Sequence, residues 1–83
     1  MRKKKLKILD VLIGKQIREG RKAKNFTLVK LAGALGVTYQ YVQQCEAGEI
    51  RLSAPRLLLI SKALEIPPEY FLKEGKDYLI SHQ

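Results

Sequence analysis

Apolar residues recur along this chain at helical rather than strand spacing. Ile13 and Ile17 stand i, i+4 apart behind Leu12. Leu28, Leu31, Ala32 and Leu35 mark one side of a short segment, and Leu57, Ile60 and Leu64 mark another. No stretch alternates apolar and polar residues for long, and no Asn-Gly or Asp-Gly hairpin turn occurs. The pattern predicts five helices without a sheet, an all-α fold. A first helix over 10–24 opens on Asp10 as its cap and stops at Asn25, a residue that tolerates the left-handed conformation. Thr27 caps a helix over 28–35 ended by Gly36, and Thr38 caps one over 39–47 closed by Gly48. Ser53 caps a helix over 54–64, with Pro55 tolerated in its first turn. Pro67-Pro68 breaks the chain, and Pro68 starts a short fifth helix ending near Leu72. Residues 1–9 then form a basic arm, 10–72 a single domain, and 73–83 a tail with no assigned structure.

The two central helices and the turn Gly36-Val37-Thr38 fit within residues 28–47. Ala32 is small where two steeply crossing helices must approach, Gly36 permits the sharp turn, and Val37, Val42 and Cys45 supply apolar contacts. This is a helix-turn-helix arrangement, whose second helix enters the DNA major groove. With Val42 at 0° and a step of about 100° per residue, Cys45 falls at about 300° and Thr38 at about 320°. Gln43 falls at about 100°, Gln40 at about 160° and Gln44 at about 200°, away from that inner side. Tyr39 projects from the helix tip. A glutamine can donate to and accept from one adenine edge in the major groove, so an outward row of amides is chemically suited to reading bases.

Charge adds a second signal. The 83 residues hold 16 Lys/Arg against 8 Asp/Glu, a net charge of +8. Basic residues 2, 3, 4, 5, 7, 15, 18, 21, 22 and 24 face only Asp10 and Glu19 in the first 24 positions, while residues 25–83 balance. The whole excess is N-terminal, which points to a polyanion partner. Arg2, Lys3, Lys4 and Lys5 in the arm, with the helix-capping Thr27 and Thr38, are candidate phosphate contacts.

In the segments IGKQIREGRKAKNFT, LAGALGVTYQYVQQCEAG and SAPRLLLISKALEIPPEYF the chain resembles the Cro and lambda-repressor-like (Xre) helix-turn-helix proteins. The resemblance spans about Asp10 to Leu72 and implies a five-helix domain that binds an operator in double-stranded DNA as a dimer and regulates transcription. It implies base contacts by Tyr39, Gln40 and Gln44, flanking or backbone contacts by Tyr41 and Gln43, and a phosphate contact by Arg51. It also implies a structural pair between Arg21 and Glu46. Leu28 departs from the pattern: the family usually places there a glutamine that contacts phosphate, which leucine cannot do.

An apolar surplus fits the implied homodimer: Leu58, Leu59, Tyr70, Phe71, Tyr78, Leu79 and Ile80 are candidates for its interface. The alternative use of such a surface is a protein partner, as in an antitoxin or another interaction module on the same fold. One cysteine and one histidine cannot make a disulfide framework or a metal cluster, and Cys45 reads as a small core residue rather than a redox sensor. No catalytic carboxylate pair, nucleophile–base set or phosphate-cradling glycine loop is present, so neither an enzyme nor a cofactor is expected. The basic-then-apolar start imitates a secretion signal, but Asp10 interrupts it, and the longest other apolar run, LLLI at 57–60, cannot cross a membrane. A cytoplasmic protein is expected.

Overall fold

The computed structural model of the chain describes residues 2–82, with the side chain of Arg2 outside that description. Its elements are α1 (Arg2–Ala23), α2 (Leu28–Leu35), α3 (Tyr39–Glu46), α4 (Ala54–Leu64) and α5 (Pro68–Ser81), and no strand occurs among the described residues. Ile17, Leu31, Ala32, Val42, Ile60, Leu64 and Phe71 form the core, all but Phe71 on the side of the helix that the apolar spacing marks. Partly buried Ile13, Phe26, Leu28, Leu35, Val37, Leu52, Leu57 and Ile66 close around it.

The local signals set the middle of the molecule. Thr27 Oγ1 accepts from Lys30 N at 3.0 Å, Thr38 Oγ1 from Tyr41 N at 3.2 Å, and Ser53 Oγ from Arg56 N at 3.2 Å. Each hydroxyl satisfies one amide that the first helical turn leaves without a partner. Gly36 and Gly48 take φ of 71° and 75°, and Asn25 takes 60°, so all three stops are left-handed turns. Glu65 does the same at φ 56°, a non-glycine position that the sequence gives no cue for.

Both ends differ from expectation. The first helix does not open at Asp10: α1 begins at Arg2 and runs 22 residues through the basic segment, most of the 38 Å long axis of the molecule. Asp10 is mid-helix, and its carboxylate meets Arg51 Nη2 at 3.3 Å instead of capping. Lysine and leucine are good helix formers, and nothing in residues 2–9 breaks a helix. Nor does the fifth helix end near Leu72. α5 continues to Ser81, and Gly75 within it is buried where Leu9 of α1 packs close: a Cβ at that position would stand 3.2 Å from Leu9 Cδ2. The two extensions hold each other in helical form, a tertiary effect that local spacing does not encode.

Phe71 is corrected by the same packing. It is 0% exposed within the single chain, edge-on to Tyr70 at a ring-centroid distance of 5.4 Å, so it belongs to the core and not to a dimer surface. The other candidates remain outside: Leu58 and Leu59 on α4 and Tyr70, Leu79 and Ile80 on α5 are exposed, Ile80 at 67%, and Tyr78 is half-buried.

Candidate nucleic-acid interface

α2, the Gly36 turn and α3 place one helix across another, with Ala32 buried at the crossing. Val42 and Cys45 point inward at 2% exposure each. Tyr39, Gln40, Gln43, Gln44 and Ala47 are exposed on the opposite side, as the angular spacing requires. The amides lie on one helix face with no internal hydrogen bonds among the described residues. Thr27 and Thr38 use their oxygens as acceptors at the caps, which leaves each hydroxyl proton available to a phosphate oxygen.

α3 is held from behind by α1 at four levels. Arg21 Nε donates to Glu46 Oε2 at 2.6 Å and Nη2 to Oε1 at 3.2 Å, while Nη1 donates to the Phe26 carbonyl at 2.8 Å. The side chains are 9% and 6% exposed, so this is a buried, two-pronged ion pair tying α1, α3 and the α1–α2 turn. Two turns earlier, Gly14 lets the helices touch: a Cβ there would collide with the Cys45 carbonyl oxygen and stand 2.7 Å from that of Glu46. Val11 rests on Gly48, and Lys7 Nζ donates to the Gly48 carbonyl at 2.7 Å. The amide face therefore sits on a rigid support.

Several residues sit differently from their reading in the sequence. Arg51 is exposed in the link after α3, but its Nε and Nη2 already face Asp10, so a phosphate there would share the guanidinium with a carboxylate. Tyr41 is half-buried with the Arg56 guanidinium 5.3 Å from its ring centroid, turned toward α4 more than toward solvent. Burial raises the pKa of the Tyr41 hydroxyl and of the Cys45 thiol above their usual values, Arg56 opposing in both cases. A buried, protonated thiol fits a packing role for Cys45. Leu28 packs against the core at the start of α2 and offers no polar atom. Lys3, Lys4 and Lys5 are exposed on the first turns of α1, now as part of a helix. Missed in the sequence were Gly14, Lys7, Asp10 in its ion-pair role, and Arg18, which lines a cleft beside Gln43. The helical continuation of residues 2–9, extending the spacing of Ile13 and Ile17 back through Leu9 and Leu6, is the signal that places Lys7 on α1, whereas the close approach at Gly14 has no local signal.

Five helices with a glycine-turned pair and an outward polar second helix define a lambda-repressor-like helix-turn-helix domain. The chain belongs to the helix-turn-helix family HTH_3, which matches residues 17–71. It is similar to HTH-type transcriptional regulator y4aM of Sinorhizobium fredii, 41% identical over 73 residues, which are 88% of this chain and 51% of that protein. Regulator y4wC of the same organism is 40% identical over 81 residues, 98% of this chain and 57% of the relative. The chain thus spans little more than half the length of these curated relatives. Among solved structures, it is similar to the restriction-modification controller protein C.AhdI from Aeromonas hydrophila, with 33% identity and a TM-score of 0.70 over 74% of this chain and 92% of that one. The clp gene regulator ClgR from C. glutamicum superposes with a TM-score of 0.79 at 28% identity, over 86% of this chain and 92% of that one. Among the described residues no helix is long and apolar enough to cross a membrane.

Proposed function

We propose that the protein is a sequence-specific double-stranded-DNA-binding transcriptional repressor that acts in the cytoplasm as a homodimer on a palindromic operator. One observation carries this reading: α3 presents Tyr39, Gln40 and Gln44 outward from a helix braced by Arg21–Glu46 and Gly14. Bidentate amide contacts to adenine N6 and N7 would read bases from that face. Thr27, Thr38, Gln43, Arg51 and the α1 side chains of Lys3, Lys4 and Lys5 would hold the backbone, with Tyr41 flanking, and set the register of α3 in the groove; the Arg2 side chain lies outside the described residues.

The dimer reading draws on Leu58, Leu59, Tyr70, Leu79 and Ile80, large apolar side chains that the single chain leaves exposed, and on half-buried Tyr78. The same surface supports a second reading, a module of antitoxin type that binds another protein. Recovery of a stable heterologous partner, together with no DNA footprint at low salt, would favour that reading over the first.

Selection of bound sequences from a random duplex pool tests the proposal. The expected outcome is a two-fold symmetric site whose half-sites lie about 10–10.5 base pairs apart, with log affinity falling linearly with log salt by about 0.9 per phosphate contacted. Recovery of no consensus from the pool would contradict the base-reading role.

A further inference from the structure

Arg18 is a cation of α1 that neither the packing nor the amide face uses. It is exposed, and among the described residues it enters no salt bridge. It lines a cleft of about 290 Å³ together with Arg21, Leu28, Gln43, Glu46 and Ala47. The Arg21–Glu46 pair in that cleft is closed on itself, its charges balanced and its donors already engaged. Gln43 and Ala47 belong to the exposed flank of α3, and Leu28, the first residue of α2, brings only carbon. The uncompensated charge of the cleft is therefore that of Arg18, and the cleft opens beside the helix that carries the amides.

Arg18 is also one member of a row. Lys4, Lys7, Lys15, Arg18 and Lys22 are all exposed and recur along one side of α1 at helical spacing. From Lys4 to Lys22 the row is about 27 Å long at ~1.5 Å per residue. Lys7 is engaged with the Gly48 carbonyl and Lys15 lies 3.8 Å from Glu74. Arg18 has no such partner and stands where the row passes α3.

We infer that Arg18 binds a phosphate of the DNA backbone bordering the groove that α3 occupies. The inference rests on the proposed DNA-binding function and adds a contact to it. A guanidinium offers two parallel donors to two phosphate oxygens, a geometry that an ammonium reproduces only as a point charge. The beginning of α2 lacks a side-chain donor at Leu28, and Arg18 brings a donor to the same cleft from the neighbouring helix. Such a contact fixes the distance between α1 and the backbone without reading sequence.

Binding as a function of salt decides it, measured for the wild type, Arg18→Ala, Arg18→Lys and Lys76→Ala on one selected duplex and one random duplex. Lys76 is a control cation that lines a separate apolar groove between α1 and α5. Arg18→Ala should weaken both duplexes by the same factor and flatten the salt slope by about 0.9, while Arg18→Lys retains most of the slope. Lys76→Ala should leave the slope unchanged. An unchanged slope in Arg18→Ala, or an equal flattening in Lys76→Ala, overturns the inference and leaves the proposed function standing. Failure of the wild type to bind either duplex at low salt overturns both.

Discussion

Glu46→Ala is expected to lower folding stability by about 3–5 kcal/mol, the cost of leaving one member of a buried ion pair uncompensated. The Arg21 guanidinium would keep its bond to the Phe26 carbonyl but lose both carboxylate oxygens, at a site where the two side chains are 9% and 6% exposed. A domain of this size has stability of the same order to lose, so the variant should be largely unfolded at physiological temperature. Chemical denaturation followed by circular dichroism would report the loss. Replacing both residues, Arg21→Met with Glu46→Leu, should recover much of it, because no charge is then left buried. A single Glu46→Ala that unfolds within about 0.5 kcal/mol of the wild type would show that water reaches the pair and that α3 is not braced there.

The second large effect is at Gly14. Alanine is a better helix former than glycine by about 1 kcal/mol, so propensity alone predicts stabilisation in the middle of α1. The contact predicts the opposite. The new methyl group would collide with the carbonyl oxygen of Cys45, and backbone atoms cannot swing aside as a flexible side chain can. Overpacking of this kind costs about 1–3 kcal/mol, enough to reverse the sign. Gly33 is the counterpart: a Cβ there meets nothing within 4 Å, in a helix interior with no positive φ. Gly33→Ala should therefore raise stability by about 0.5–1 kcal/mol. Opposite signs for the two substitutions in one denaturation series check the α1–α3 crossing. Stabilisation by both would mean that the helices are not in contact at Gly14.

These two sites also mark where the sequence could be read and where it could not. The helix-turn-helix is legible because its signals are local: Thr27, Thr38 and Ser53 each cap the helix that follows by accepting from the amide three residues ahead, and Gly36 and Gly48 turn the chain at positive φ. The inward placement of Val42 and Cys45 and the outward placement of the glutamines follow from helical periodicity alone. The ends of α1 and α5 were not legible. Their helical state depends on Leu9 against Gly75, Lys7 on the Gly48 carbonyl and Asp10 with Arg51, the last two separated by 41 residues. Asp10 misled because an aspartate before an apolar run has the appearance of a cap, and only the fold brings Arg51 to it. The Arg21–Glu46 pair was reached through resemblance to a family, since nothing in the spacing of an arginine and a glutamate 25 residues apart announces a contact. Among ten N-terminal cations the sequence assigns Arg18 no separate role, and its distinction lies in the cleft that it lines. A helix ending near Leu72 is too short to show which side of it faces the core, whereas α5 to Ser81 turns Phe71 inward.

The central claim is that the amide face of α3 reads bases, and the most direct measurement compares the affinity of Gln44→Ala with that of the wild type on the selected operator and on random duplex at one salt concentration. The Gln44 side chain is exposed and makes no hydrogen bond to the described residues, so its removal should leave the fold intact. The account predicts a loss of about 1–3 kcal/mol on the operator and a far smaller loss on random DNA. Equal losses on the two duplexes, or none on either, would contradict it.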